Sequence, residues 1–150
     1  MNGISPDKRV AIGEVYLMRF DGQYSEQNGL RPGLVFQNNI GNENSPNIIA
    51  LPMTSAIKKL SQPTHVLIRA KKSGLWRDSI VLCENPECLS KAKIGDYITT
   101  LSHEEMRLVA IASILASSAV SFLDADTLLS VWRQASRLNN KRSGRRDLRV

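Results

Sequence analysis

Tyr97–Leu115 reads YITTLSHEEMRLVAIASIL, and the chain changes character inside it. Tyr97 to Leu101 is a short run of β-branched, aromatic and apolar residues, which reads as a strand. Ser102-His103-Glu104-Glu105 is then a capping box: the Ser102 hydroxyl can accept from the Glu105 amide while the Glu105 carboxylate reaches back to the Ser102 amide. Beyond it the apolar period becomes helical. Met106, Val109, Ala110, Ser113, Ile114 and Ser117 share one face, and Leu108, Ile111 and Leu115 fill another. A helix that is apolar most of the way round wants burial on more than one side. In a small domain this predicts a subunit interface in addition to a core.

Everything before this switch reads as strands and polar loops. Val10–Phe20 predicts a strand with Val15 and Leu17 on one face and Tyr16, Met18 and Phe20 on the other. Further strands are expected at Leu34–Phe36, Asn47–Met53, His65–Ala70 and Ser79–Cys83. Asp21–Gly29, Asn38–Pro46 and Ser55–Pro63 read as loops. Short strands at this spacing followed by helices indicate a mainly β domain, a small antiparallel barrel with C-terminal helices. After the switch, Asp124 or Asp126 can cap a second helix, with Leu128, Val131, Trp132, Ala135 and Leu138 on one stripe. That helix is expected to dock on its own dimer through Trp132. Asn139–Val150 reads as a basic, frayed end. The organisation is a lead-in over 1–9, a domain over 10–123 and a helical, basic extension over 124–150.

Charge is concentrated. The chain has 150 residues and a net charge of +6. Trp132–Val150 carries seven basic residues and one acid, so residues 1–131 are neutral overall. A neutral body is no general polyanion surface, and nucleic-acid chemistry there requires a local site. The longest uncharged run, Leu108–Leu123, contains four serines and falls short of the ~18 apolar residues of a membrane span. Asp7, Lys8, Arg9 and Glu14 interrupt any signal-peptide pattern. Cys83 and Cys88 make no disulfide framework, and no Cys/His spacing suits a metal. No Gly-rich phosphate loop, βαβ alternation or G-x-S-x-G motif is present. A cytoplasmic protein without cofactor or metal is the expectation.

Ser25–Asn42, SEQNGLRPGLVFQNNIGN, resembles the MazF/PemK/Kid family of toxin endoribonucleases. Gly13-Glu14-Val15-Tyr16 looks like the family's opening strand and Pro52-Met53-Thr54 like its third-strand signature. Pro63-Thr64-His65-Val66 and Arg77-Asp78-Ser79 also look like family members, in matching order and spacing. The resemblance covers about residues 12–123. It implies an SH3-like barrel of the CcdB/MazF kind, assembled as a homodimer in the bacterial cytoplasm, off the membrane and held by an acidic MazE/PemI-like antitoxin. It also implies metal-independent cleavage of single-stranded RNA to a 2′,3′-cyclic phosphate and a 5′-hydroxyl.

By the same resemblance Arg31, Thr54 and Glu84 are the catalytic candidates. Arg31 would offer its guanidinium fork to the scissile phosphate. Thr54 would give a hydroxyl to a phosphate oxygen. Glu84 would act as a general base or hold an RNA base. Ser25, Glu26, Gln27, Lys58, Lys59, Arg77 and Asn85 are the RNA-binding candidates. His65 and His103 show no partner in the sequence. Two departures stand out. Asn85 replaces the family's usual Gln, and Glu87 replaces an Arg, a charge reversal that would oppose phosphate if it lay close. The alternatives are a non-catalytic toxin of the same fold, like the gyrase-poisoning CcdB proteins, and a degenerate RNA-binding or regulatory dimer.

Overall fold

Strand β3 (Asn47–Thr54) is the spine of the molecule. The computed structural model describes residues 9–20, 29–56 and 62–140. In chain order the other strands are β1 (Glu14–Arg19), β2 (Leu30–Val35), β4 (His65–Ile68), β5 (Ser79–Leu82), β6 (Glu87–Ser90) and β7 (Ile94–Thr100). The α-helices are α1 (Asn39–Asn44), α2 (Ala70–Ser73), α3 (His103–Ser117) and α4 (Ala125–Asn140). The sheet is antiparallel and seven-stranded, ordered β4-β5-β3-β2-β1-β7, with β6 also paired to β3. Mainly β with C-terminal helices is therefore the observed class. The pairing does not close into a ring, because β4 and β7 end the path without pairing to one another.

On one side β3 pairs with β2, Gly33 facing Pro52 and Val35 facing Ala50. On the other side β5 and β6 lie end to end. Val81 faces Met53 and Glu87 faces Ala50. Residues 82–86 thus span only Leu51 and Pro52, and the surplus swells outward as a β-bulge-like bend. The Asn85 N–H donates to the Leu82 carbonyl at 3.1 Å and the Cys83 N–H to the Thr64 carbonyl at 3.0 Å, which hold the bend closed.

Both sheet faces are covered, so the strands are apolar in both registers. One face gathers Val15, Leu34, Leu51, Met53, Val66 and Val81, onto which α3 lays Val109 and Ala112. The other gathers Tyr16, Met18, Phe20, Val35, Ile48 and Ile94. Gly33 makes this second packing possible: a Cβ there would stand 2.5 Å from Met18 Sδ and 2.8 Å from Phe20 Cζ.

Three sequence expectations are corrected. Asn38–Pro46 is not all loop but contains α1, because its asparagines satisfy one another. Asn39 and Asn42 are buried; the Ile12 N–H donates to Asn39 Oδ1 at 2.8 Å, and Asn42 Nδ2 donates to Asn39 Oδ1 and the Gln37 carbonyl. Glu87–Ser90 is a strand, made so by the free edge of β3 rather than by its own propensity. Strand starts also move: the first strand begins at Glu14 rather than Val10, the second at Leu30 rather than Leu34, and the last at Ile94 rather than Tyr97. By contrast the α3 capping box is present in both halves, and Asp124, not Asp126, caps α4 by accepting the Thr127 N–H at 2.7 Å. Among the described residues no helix is long and apolar enough to cross a membrane.

Candidate active site

Arg31 and Thr54 come from neighbouring strands. Counted on from the Gly33–Pro52 pair, they stand two residues further along β2 and β3, on the face that carries Gly33 and Pro52. Arg31 is only 8% exposed, opposite Met18 of β1. An arginine side chain carries a planar fork of donors that matches the oxygens of an anion. Thr54 closes β3, and its Oγ1 accepts the Ala56 N–H at 3.1 Å. That contact fixes the hydroxyl and leaves its proton to donate. A cation and a hydroxyl donor on one face of a rigid sheet suit the non-bridging oxygens of a phosphodiester.

Glu84 sits in the bend between β5 and β6, and it has a partner that sequence reasoning missed. His65 Nε2 lies 2.7 Å from Glu84 Oε1, the imidazole side chain 8% exposed and the carboxylate 33%. The pairing of β4 with β5 sets this up, since His65 faces Leu82, two residues before Glu84. The two are nineteen residues apart in sequence, so no local pattern announced the contact. Leu82 and Ile80 lie on one face of β5, and Ile80 faces Thr54. His65 is therefore two residues along and two strands across from Thr54, about 12 Å by strand geometry. That is one to two nucleotides away rather than at the same phosphorus.

Asn85 follows in the same bend and is half-buried. Arg77 is exposed in the β4–β5 connection, where neighbouring Arg69 pairs with Asp78 at 3.6 Å. Glu87 faces Ala50, four residues along β3 from Thr54, about 13 Å by strand rise. The charge reversal is therefore remote from the Arg31–Thr54 phosphate position. Ser25, Glu26, Gln27, Lys58 and Lys59 lie outside the described residues. In the sequence Ser25–Gln27 precede Arg31 and Lys58 and Lys59 follow Thr54.

Residues 11–115 match the family described as PemK-like, MazF-like toxin of type II toxin-antitoxin system. The endoribonuclease EndoA of Bacillus subtilis (strain 168) is 43% identical over 98 residues, covering 65% of this chain and 84% of that protein. Among solved structures, an endoribonuclease in complex with its cognate antitoxin from a mycobacterial species superposes with a TM-score of 0.61 at 25% identity, over 73% of this chain and 96% of that one. The fold is also that of the MazE-MazF structure from Deinococcus radiodurans, with a TM-score of 0.57 at 21% identity over 73% and 95% of the two chains.

Proposed function

Because the chain belongs to the PemK/MazF-like toxin family of type II toxin–antitoxin systems, we propose that it is an endoribonuclease that cleaves single-stranded RNA at a phosphodiester held by Arg31 and Thr54. The reaction is an internal transesterification. The ribose 2′-hydroxyl gives up its proton as its oxygen attacks the adjacent phosphorus, the bond to the 5′-oxygen breaks as that oxygen takes up a proton, and a 2′,3′-cyclic phosphate and a 5′-hydroxyl result. Negative charge builds on the non-bridging oxygens of the phosphorane. Arg31 meets it with a fixed positive fork and Thr54 with a neutral hydroxyl, both already in place, so little reorganisation accompanies the reaction. What supports this reading is the β2–β3 register, which, counted on from Gly33 facing Pro52, sets Arg31 and Thr54 on one face of adjacent strands.

Glu84, with Asn85 beside it, acts on a neighbouring nucleotide in this scheme. His65 holds the Glu84 carboxylate so that it can accept from an exocyclic amine or ring N–H of an unstacked base. Asn85 offers both a donor and an acceptor. Ser25, Glu26 and Gln27, with Lys58, Lys59 and Arg77, would hold the strand on either side. The protein works as a cytoplasmic homodimer restrained by an acidic antitoxin. The non-catalytic CcdB-like reading is not favoured, since Arg31 and Thr54 are both retained and share one face.

The experiment is cleavage of a defined single-stranded RNA by the purified chain, with the product ends identified. Cyclic phosphate and 5′-hydroxyl termini support the reading. Intact RNA under conditions where the fold is retained would overturn it.

A further inference from the structure

Residues 69–78, RAKKSGLWRD, carry four basic residues and one acid. Residues 1–131 are neutral overall, so the rest of that span carries −3. This is the local positive charge that a neutral body needs before it can hold a polyanion. The segment joins β4 to β5 through α2. The residues that flank it, Ile68 and Ser79, face one another one position beyond Ile80, and Ile80 faces Thr54. The connection therefore leaves the sheet at the end of β3 that carries Thr54.

Hydrogen bonds fix the backbone of this connection along its length. The Ala70 N–H donates to Asp78 Oδ1 at 2.8 Å, the Leu75 N–H to Ser73 Oγ at 3.2 Å and the Ser79 hydroxyl to the Arg77 carbonyl at 3.0 Å. From β7 the Thr99 hydroxyl donates to the Ser73 carbonyl. Gly74, with φ of 87°, turns the chain after α2, and Leu75 then drops into the core beneath α3. The next side chain is Trp76, and it is 72% exposed. An indole normally gains from burial; here an anchored turn holds it in solvent. Lys71 and Arg77 are exposed on the same connection, and the Arg69 side chain, 66% exposed, stands 3.6 Å from Asp78.

We propose that Arg69, Lys71, Trp76 and Arg77 form an accessory contact for single-stranded RNA, in which Trp76 stacks on one unpaired base and the three cations take phosphates beside it. The proposal rests on the RNA-cleaving reading above and extends the grip on the strand beyond the Arg31–Thr54 position. Its partner follows from chemistry: an anionic backbone that carries flat π-faced bases matches cations set around an exposed ring. Stacking on an indole tolerates every base, so the contact adds affinity and not sequence choice. Because the turn is held before RNA arrives, little ordering accompanies binding.

The test uses Trp76 as its own reporter. The chain has two tryptophans, the other being Trp132, 64% exposed on α4, so Trp132→Phe leaves Trp76 alone. The probe is a mixed-sequence 2′-O-methyl oligoribonucleotide, which lacks the 2′-hydroxyl and is not cut, so the contact is read independently of cleavage. Trp76 emission should fall saturably as the probe binds. Trp76→Ala should weaken binding about tenfold, and Trp76→Phe should restore most of it. Arg69→Ala combined with Lys71→Ala should reduce the slope of log affinity against log salt by ~1.4. Unchanged Trp76 emission at saturating probe would overturn the proposal, as would equal affinity of the parent and Trp76→Ala. Emission already blue-shifted without probe, and dependent on protein concentration, would assign Trp76 to a contact between copies of the chain and overturn it too. Any of these results alongside cleavage of a defined RNA by the parent would remove this contact and leave the ribonuclease reading standing.

Discussion

His65 Nε2 stands 2.7 Å from a carboxylate oxygen of Glu84, tying the edge strand β4 to the bend that separates β5 from β6. The contact makes one rigid wall of three elements and gives Glu84 a fixed direction. A carboxylate so held can read a base; a free one would sample several rotamers. Glu84→Gln should therefore lower kcat/KM for RNA about tenfold or more, the cost of one hydrogen bond to a charged group, and relax the preference for the bases around the cut. His65→Ala should shift that preference in the same sense. Sequencing of product ends for the three proteins checks this, and unchanged site choice in Glu84→Gln would contradict it.

Gly33→Ala forces a methyl group onto Met18 and Phe20 two residues from Arg31. Overpacking of this kind costs ~1–3 kcal/mol, and the strand that yields is the one carrying Arg31. The expected result is a thermal midpoint lowered by several degrees together with reduced cleavage. A variant as stable as the parent would show that the second core is looser than its packing indicates.

The two cysteines should separate cleanly in a thiol titration. Cys88 is exposed on β6 and Cys83 is buried, where desolvation raises its thiol to about 11. At pH 8 the folded protein should present one fast-reacting thiol, and the second should appear only on unfolding. Two fast thiols without denaturant would contradict the packing of Cys83 beneath α3.

Acid should loosen α4. The Thr127 N–H bond to Asp124 holds that carboxyl below its ordinary range. A depressed native pKa contributes stability above the unfolded value, about 3.9, and that stability is lost as pH falls through the native value. Helicity should drop at the acid end for the parent and stay flatter for Asp124→Asn, which caps without titrating. Circular dichroism of both proteins from pH 6 downward decides it; identical profiles would remove Asp124 from the account.

What was legible in the sequence follows from where each feature's determinants lie. The α3 boundary was readable because Ser102 and Glu105 specify their own cap within four residues. Helix α1 was not, because what stabilises NIGNEN is the burial of Asn39 and Asn42 against Ile12 and Gln37, a tertiary fact in a stretch whose composition reads as loop. Strand β6 is a strand because β3 offers it an edge, and Pro86 before it disguised the pairing. The same non-locality hid the His65–Glu84 contact. Arg31 and Thr54 were singled out by family resemblance alone, since an Arg before a Pro and a Thr ending a strand are commonplace. The fold then supplied what their spacing in the chain does not state, a common face on adjacent strands.

The central claim is that Arg31 and Thr54 together hold the phosphodiester that is cut. Its most direct test compares cleavage of one defined single-stranded RNA by the parent, Arg31→Ala and Thr54→Ala in the presence of EDTA, with circular dichroism confirming that all three are folded. The account predicts metal-independent cleavage by the parent, leaving 2′,3′-cyclic phosphate ends, and a loss of about 100-fold or more in each variant. Cleavage by Arg31→Ala at the parental rate, or activity of the parent only with an added divalent cation, would contradict it.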